Sequence, residues 1–246
     1  MRATIRWAPV LALLFASAAA GEPFHPDWNW ENQKLCGKVK SVTTDERAGK
    51  RYEEYGKDGR KLLSMLYDEF GKVTHEAQLK YNKDGDLNQI TYIQKGIEKP
   101  LYVERADYKS KGVIKAVTRS IGEKVMKSEP FVYGKDGRVK SISIKTGGRM
   151  TIWAYRFDKD GNLTEFELKQ DRKVMVRAEY GKHEKGNATV MKSYRDGKLA
   201  SEAEVSYKYD TQGNWTERTA KPILYEDGKK VSKNPHVTKR KIEYYE

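Results

Sequence analysis

The residues that could carry chemistry are few and far apart in this sequence. Four histidines, His25, His75, His183 and His236, are spread along the chain, and none forms a His-x-x-x-His pair or a pair with the single cysteine, Cys36. Closely spaced His and Cys ligands are the usual local signature of a metal site. The sequence therefore predicts no metal site, and it shows no motif for a cofactor.

Candidate nucleophiles and acid–base pairs are also weak. Ser141 and Ser143 lie in an alternating segment and not in a Gly-x-Ser-x-Gly elbow. Glu165 and Glu167 would share one face of a strand, but lysines and arginines alternate with such carboxylates, which favours cross-strand ion pairs. The sequence thus predicts a protein that is not an enzyme. The alternative is a hydrolase of cell-envelope polymers, with two outer carboxylates about 5–9.5 Å apart in a groove.

Composition limits the architecture. The chain has 246 residues, of which 37% are hydrophobic and 34% are charged, and its formal net charge is +13. After residue 20 there is no run of about 18 apolar residues, so no transmembrane segment is expected after the leader. One cysteine excludes a disulfide framework and a Cys-based zinc site. The basic balance favours attraction to anionic polymers.

The first twenty residues read as a secretory signal. Arg2 and Arg6 precede a short apolar stretch that ends in Ala18-Ala19-Ala20, which predicts a signal peptide over residues 1–20 and export to the periplasm or beyond. Nucleic acid is therefore not expected as a partner.

Residues 21–36 are interpreted as an N-terminal cap segment. Its Trp28 and Trp30 could form an aromatic platform for a sugar or a hydrophobic plug over the first strand. Cys36 is expected to be buried beside Leu35 and Val39.

Residues 37–246 are organised as one repeat. Each unit has an aromatic residue, three polar residues, a glycine, a polar residue and an apolar residue, and the glycines recur at intervals of about 25 residues. A second series of turn signals alternates with the first. The aromatic and glycine positions are Tyr55 and Gly59, Tyr81 and Gly85, Tyr108 and Gly112, Tyr133 and Gly137, Phe157 and Gly161, and Tyr209 and Gly213.

Segments between the turns alternate with period two and are rich in β-branched and aromatic residues, which is typical of strands. Lys-Asp-Gly turns fit three-residue hairpin loops in which Asp bonds the backbone and Gly takes a left-handed conformation. The fold class is therefore all-β: an antiparallel meander of about 16 short strands, open or rolled. The aromatics should stack along one edge. Tyr180, six residues before Gly186, indicates a two-residue loop insertion there.

Tyr-Asp-x-x-Gly-Asn/Arg-Leu units resemble the YD repeats of RHS-type bacterial surface proteins. Residues 209–218, read with 239–245, are similar to the C-terminal end of small secreted RHS-like repeat proteins. The resemblance spans about residues 37–246 and implies a β-sheet repeat scaffold. In large members the sheet rolls into a shell around a toxin, whereas this chain has no toxin-sized segment outside its repeats.

The function expected from these features is a noncatalytic exported scaffold or binding module for an anionic envelope polymer or a protein partner. Two alternatives remain: the hydrolase described above, and an accessory or immunity partner of a repeat toxin. The densest basic stretch is the best candidate for binding, together with Trp28 and Trp30. Its members are Lys229, Lys230, Lys233, Lys239, Arg240 and Lys241.

Overall fold

The chain folds as one all-β sheet. The computed structural model describes residues 35–246 apart from 47–48, 128–130, 147 and 227–228, and these described residues contain no helix that could span a membrane. They form eighteen strands, more than the predicted number of about sixteen, because short strands such as the ninth and the seventeenth add to the regular repeat. The strands are β1 (Val39–Glu46), β2 (Gly49–Tyr55), β3 (Lys61–Tyr67), β4 (Val73–Tyr81), β5 (Leu87–Gln94), β6 (Tyr102–Ser110), β7 (Val113–Ile121), β8 (Lys124–Lys127), β9 (Val132–Tyr133), β10 (Val139–Thr146), β11 (Arg149–Phe157), β12 (Leu163–Gln170), β13 (Lys173–Glu184), β14 (Asn187–Arg195), β15 (Lys198–Tyr209), β16 (Trp215–Glu226), β17 (Lys229–Ser232) and β18 (His236–Tyr244).

The sheet is rolled because its first and last strands pair. Antiparallel pairings connect β1 to β8 in one run and β9 to β17 in another. Strand β18 then pairs with both β16 and β1, with Val42 opposite Ile242 and Thr44 opposite Arg240. The sheet stays unclosed, so the meander turns back on itself without becoming a continuous ring. Of the two predicted forms, open or rolled, the chain adopts the rolled sheet.

One face of the sheet holds the apolar core, and we call it the inner face. The cross-strand register puts alternate residues of every strand there, as period-two strands require. The largest cluster includes Leu79 of β4, Ile90 of β5, Ile114 and Val117 of β7, and Ile142 of β10. Side chains from both runs of strands therefore pack together in one core.

Two smaller clusters lie on the same face. One joins β14, β15 and β16 through Met191, Val205 and Ala220. The other joins the two ends of the chain through Val42 and the fully buried Tyr55, with Ile242 packed against them. The core is thus a series of clusters along the inner face, as expected for stacked repeats.

The predicted three-residue hairpin loops are present. At the β2–β3 hairpin the Gly56 N–H donates to the Arg60 carbonyl at 2.8 Å, and Gly59 has a φ of +82°. Five more hairpins repeat this bond between the residues that flank the loop. Glycines with positive φ close all six, at Gly59, Gly71, Gly85, Gly137, Gly161 and Gly213.

The prediction was that the Asp of each Asp-Gly turn bonds the loop backbone. In several repeats a different side chain makes these bonds. The Asp158 carboxylate, one residue after the aromatic, accepts the N–H groups of Asp160 and Asn162 at 2.9 and 2.8 Å. Where that position is a glycine, as at Gly56, the carboxylate of Asp58 accepts the Arg60 N–H instead, at 3.1 Å. The Asp of the YD pair is therefore a turn-capping residue.

The repeat around Gly186 contains no loop insertion, contrary to the prediction. Glu184 lies opposite Asn187, which leaves only Lys185 and Gly186 in the turn, both with positive φ. The two extra residues lengthen β13 to 12 residues. A type I′-like two-residue turn matches the twist of its strands, so the repeat accommodates the extra length in the strands.

The repeat tyrosines, which were predicted to stack along one edge, form a series of hydrogen bonds there, which we call the tyrosine ladder. The Tyr81 hydroxyl donates to the Lys61 carbonyl at 2.7 Å, and the Tyr108 hydroxyl donates to the Leu87 carbonyl at 2.5 Å. In the next unit the Tyr133 hydroxyl accepts the Ile114 N–H at 2.7 Å. Each of these three tyrosines reaches the residue two places after the preceding repeat's glycine, so these neighbouring repeats are tied at one edge.

The residue after each glycine makes a second line of contacts between repeats. Arg60 lies over the ring of Tyr81, at 5.4 Å from its centroid, and Arg138 lies over Phe157 at 5.8 Å. Asp86 has no ring partner of this kind; its carboxylate accepts the Gly112 N–H at 3.1 Å.

In the last repeat this position is Asn214, and its contact reaches the N-terminal segment. Asn214 is 1% exposed; its side chain accepts the Cys36 N–H at 2.6 Å and donates to the Cys36 carbonyl at 2.7 Å. It also donates to the Tyr244 hydroxyl at 2.7 Å. The segment before β1 therefore occupies the place of a following repeat. Cys36 itself is exposed, so its predicted burial is wrong, while Leu35 is buried.

Gly49 and Gly71 should differ in their tolerance of substitution by alanine. A Cβ on Gly49 would lie 1.8 Å from the Tyr67 carbonyl oxygen, whereas a Cβ on Gly71 would meet nothing within 4 Å. Both have positive φ, so G71A should cost about 1–2 kcal/mol of unfolding free energy from the left-handed backbone alone. G49A should cost about 2 kcal/mol more, because a backbone carbonyl must move. Urea unfolding measures both, and equal losses would contradict the close approach.

Removal of the Asn214 side chain should loosen the joint between the chain ends. N214A is expected to cost about 2 kcal/mol, because buried hydrogen-bonding groups lose their partner. Asn162 occupies the equivalent position in an internal repeat and donates to its neighbour Asp158 at 3.0 Å, so N162A is the matched control, with a loss below about 1 kcal/mol. Similar losses in both variants, measured by urea unfolding, would show that Asn214 is only a turn residue.

Candidate functional site

The outer carboxylates that could have formed an acid–base pair are engaged with cations. Glu165 pairs with Arg156 of the neighbouring strand at 3.0 Å, and Glu167 pairs with Lys169 at 2.7 Å. The prediction of cross-strand ion pairs is confirmed for Glu165. Within the described ranges, no group of three His, Cys, Asp or Glu could hold a metal ion.

The predicted basic stretch is divided between the two faces of the sheet. Lys230 of β17 lies opposite Tyr225 and shares the outer face with Lys239 and Lys241 of β18. Lys229 lies opposite Glu226, in the cross-strand row that continues from Ala220, and is therefore on the inner side. Lys233 follows β17 and pairs with Glu226 of the same row. All five lysines are exposed. Arg240 lies between Lys239 and Lys241 and therefore points to the inner face, which separates it from them.

Carboxylates accompany most of these lysines. Lys230 pairs with Glu202 at 3.3 Å, Lys233 with Glu226 at 3.4 Å, and Lys241 with Glu243 at 3.0 Å. We call Lys230, Lys239 and Lys241, with Glu202 and Glu243, the outer lysine surface. It is a mixed-charge surface with a cationic excess, so ionic strength should act on it strongly.

A cross-strand row extends this surface to β15. Glu217 of β16 lies opposite Lys208 on one side and Lys239 on the other. The hydrogen bond and charge of Lys208, with the charge of Lys239, hold the pKa of the exposed Glu217 carboxyl below its usual range. Alternating charges across neighbouring strands stabilise the register of the chain ends.

The inner face carries charges that the sequence analysis missed, and they gather where the chain ends meet. We call Arg51, Glu53, Lys61, Arg218 and Arg240 the end cluster. Glu53 and Lys61 are 6% and 3% exposed and form an ion pair at 2.5 Å. The sequence does carry a signal for this buried charge. Lys61 lies two residues after Gly59, where other repeats have an apolar residue such as Leu87.

Register explains why the arginines of this cluster converge. Thr44 of β1 lies opposite both Arg51 of β2 and Arg240 of β18, so the two arginines share one row on the inner face. Arg218 of β16 lies opposite Thr238 and donates to its hydroxyl at 3.2 Å. The pairing of β18 with both β1 and β16 therefore brings together residues about 190 positions apart in the sequence.

Trp215 forms an aromatic surface for two of these arginines. The Arg240 guanidinium carbon lies 3.6 Å from the centre of the Trp215 ring, and that of Arg218 lies 5.6 Å from it. Both distances are within the range of cation–π attraction. Arg240 is half-buried as a residue, and its Nε atom is buried.

Cations outnumber carboxylates in the end cluster, and their charges affect the pKa values of Arg240 and Glu53. Burial lowers the pKa of the Arg240 guanidinium to about 10; attraction to Glu53 opposes this shift, and repulsion from Arg218 adds to it. Burial would raise the pKa of Glu53, but the charge and hydrogen bond of Lys61 outweigh it and hold that pKa below its usual value. Glu53 thus interacts with three cations of this cluster, Lys61, Arg51 and Arg240.

A second inner ion pair lies on β6 and β7. Arg119 donates two hydrogen bonds to one oxygen of Glu104, which is 2% exposed, and its guanidinium lies 4.7 Å from the centre of the Tyr102 ring. Burial raises the pKa of the Glu104 carboxyl despite the attraction of Arg119. The two inner carboxylates therefore differ in protonation behaviour because only Glu53 has a surplus of cations around it.

The other residues singled out from the sequence have structural positions. The repeat aromatics and glycines form the hairpin edge, where Tyr209 donates to the Glu184 carbonyl at 3.1 Å and His183 contacts the Leu163 carbonyl in the place of a tyrosine. Trp28 and Trp30 lie outside the described residues, as does the predicted signal peptide, and their binding role stays a prediction.

Together, the eighteen-strand meander, its tyrosine ladder and its capped Asp-Gly hairpins define a YD-repeat β-sheet protein. Residues 98–225 match the family model of the Teneurin YD-shell. The match covers more than half of the chain, which therefore belongs to the Teneurin YD-shell family, and the resemblance drawn from the sequence is confirmed. No curated protein sequence matched the chain.

Several solved structures match the chain. A porin-like protein from Bacteroides uniformis superposes with a TM-score of 0.59 at 9% identity, over 83% of this chain and 98% of that chain. A porin-like protein from Bacteroides vulgatus has a TM-score of 0.43 at 14% identity, over 84% and 98%. The TcdB2-TccC3-Cdc42 complex has a TM-score of 0.35 at 14% identity, over 78% of this chain and 12% of that chain. The first of these supports the rolled antiparallel sheet as a fold.

The two inner carboxylates should give stability profiles of opposite slope in acid. Because the folded pKa of Glu53 is lowered, its contribution to unfolding free energy is present above the usual value of 4.5 and is lost as pH falls below it. The pKa of Glu104 is raised, so its contribution is lost as pH rises through 4.5 toward the folded value. Urea unfolding from about pH 3 to about pH 7 should show a shallower acid loss for E53Q and a steeper one for E104Q than for wild type. Parallel profiles for the two variants would contradict this assignment.

Proposed function

We propose that this chain is an exported, noncatalytic β-repeat scaffold that binds an anionic envelope polymer through its outer lysine surface. The proposal includes a signal peptide over residues 1–20, a cap segment over 21–36 and one repeat domain over 37–246. The YD-shell family match supports the scaffold, since the repeat itself accounts for the fold. The polymer and the site of export are inferences from the chain's charge and its N-terminal sequence.

The observation that carries the proposal is the concentration of exposed lysines on β17 and β18. Lys230 lies on the outer face of a short strand, and Lys239 and Lys241 lie on the same face of the long strand that follows it. Their nearby carboxylates bind them through exposed ion pairs, which are worth at most about 1 kcal/mol each. An anionic polymer can therefore replace those partners at little cost and gain from several lysines at once.

Charge neutralisation tests this surface. A variant with Lys→Gln at Lys230, Lys239 and Lys241 should lose about tenfold or more in affinity for an anionic envelope fraction at physiological salt, and its binding should depend less steeply on salt concentration. The measurement is co-sedimentation of the purified chain with that fraction over a range of salt concentrations.

The matched control changes three exposed lysines elsewhere by the same net charge. They are Lys80, Lys109 and Lys111. If both variants lose binding equally, net charge and not this surface is responsible, and the proposal of a site fails. Binding of the wild-type chain that survives high salt would instead favour a protein partner or an aromatic site.

A further inference from the structure

A cavity of about 700 Å³ opens on the outer face, where β1, β2 and β3 lie side by side. Thr43 and Tyr52 line it as a cross-strand pair, and Lys50 lines it opposite both Asp45 and Tyr67. Volumes of about 300–1,000 Å³ are typical of small-molecule sites. The cavity is therefore large enough for a small organic ligand.

The loop between β3 and β4 brings an exposed aromatic ring to this cavity. Phe70 is one of the lining residues, and it is 86% exposed. The Asp68 carboxylate accepts the N–H groups of Phe70 and Lys72 at 3.0 and 2.9 Å, which fixes the backbone of the loop. The ring is thus held at the cavity by a capped loop while its surface remains free for contact with a ligand.

Tyr67 provides a second aromatic ring, and it is not part of the tyrosine ladder. It begins a Tyr-Asp-x-x-Gly unit at residues 67–71, as the ladder tyrosines begin theirs. Tyr81 donates to a backbone carbonyl of the neighbouring repeat, whereas the Tyr67 hydroxyl contacts the Met65 sulfur at 3.7 Å. Sulfur is a weak acceptor. The Tyr67 hydroxyl can therefore exchange this contact for a stronger hydrogen bond to a ligand.

The polar groups that line the cavity carry both signs of charge. Lys50 lies 3.8 Å from the Asp45 carboxylate, and Glu69 of the loop is exposed. An anion or a cation would meet a like charge here, and a wholly apolar ligand would desolvate these groups without a hydrogen bond in return. A neutral ring with C–H faces and hydroxyl groups at its edge matches the aromatic rings and the polar groups together.

The cavity is continuous with the outer lysine surface. Thr43 lies opposite Tyr52 on one side and Lys241 on the other, so the cavity and this lysine share one cross-strand row. Neighbouring strands are about 4.8 Å apart, which puts Lys241 and Tyr52 about 10 Å from each other along the row. A polymer that contacts Lys241 can therefore reach the cavity with its next units.

We infer that this cavity is a subsite for one uncharged sugar ring of the bound polymer, with the ring face against Phe70 and Tyr67 and its hydroxyl groups bonded to the polar lining. The inference rests on the proposed function and specifies the polymer as a glycan. The lysines bind its anionic groups, and the cavity binds a neutral unit beside them.

The test is isothermal titration of the purified chain with three neutral tetrasaccharides: cellotetraose, maltotetraose and chitotetraose. At least one should bind in a saturable way with one site per chain. Its affinity should change by less than about twofold between about 0.1 M and about 1 M salt, because no ion pair contributes to this contact.

Substitutions of Phe70 examine the ring itself. Phe70→Leu retains an apolar side chain but loses the ring, and it should weaken tetrasaccharide binding about fivefold. Phe70→Tyr retains the ring and should bind within about twofold of wild type. The matched control is Val237→Ala, which removes an exposed apolar side chain from the outer face of β18 and should leave binding unchanged. Because Phe70 is exposed, neither of its variants should alter unfolding free energy appreciably.

Three results would overturn the inference. They are the absence of saturable binding by all three tetrasaccharides, equal affinities of Phe70→Leu and wild type, and equal losses in Phe70→Leu and Val237→Ala.

The variant with Lys→Gln at Lys230, Lys239 and Lys241 separates this inference from the proposed function. It should bind the tetrasaccharide with wild-type affinity while it loses affinity for the anionic fraction. If wild type binds the tetrasaccharide and the lysine variant still binds the anionic fraction as wild type does, the lysine surface fails and the sugar subsite stands. If the lysine variant loses the anionic fraction and wild type binds no tetrasaccharide, only the subsite fails.

Discussion

The pairing of β18 with β1 is the interaction on which the rest of the structure depends. A meander of hairpins needs only local contacts, and each repeat is tied to the next by its tyrosine and by the residue after its glycine. A stack of this kind leaves two unsatisfied ends. Here the last strand pairs with the first, and Asn214 binds the segment before β1 as it would bind a following repeat. The ends thus cover each other, at the entropic cost of one long loop closure.

That joint also determines where charge is buried. Strands β2, β1, β18 and β16 lie side by side only because the ends meet, and Arg51, Arg218 and Arg240 converge there through the register. Elsewhere the inner face is filled by aliphatic and aromatic clusters, apart from the ion pair of Glu104 and Arg119. Most of the buried charge of the inner face therefore lies where the two ends of the chain meet.

The outer face follows a different rule. Carboxylates and cations alternate across neighbouring strands, as in Glu165 with Arg156 and in Glu217 between Lys208 and Lys239. Exposed pairs of this kind add little stability, but they fix register and discourage edge-to-edge association. The same alternation engages the carboxylates that a hydrolase would need. A scaffold with a salt-sensitive cationic surface is consistent with this arrangement.

Local features of this protein were determined by the sequence itself. Period-two segments, Asp-Gly turns and the regular spacing of Tyr81, Tyr108 and Tyr133 sufficed to predict an all-β repeat, its hairpins and its family, because each feature depends on residues within one or two repeats. Strand pairing between residues 200 positions apart, such as Val42 and Ile242, leaves no local pattern. Only the tertiary structure could therefore decide that the sheet rolls, that Arg240 faces inward while its lysine neighbours face outward, and that Glu53 and Lys61 are buried together.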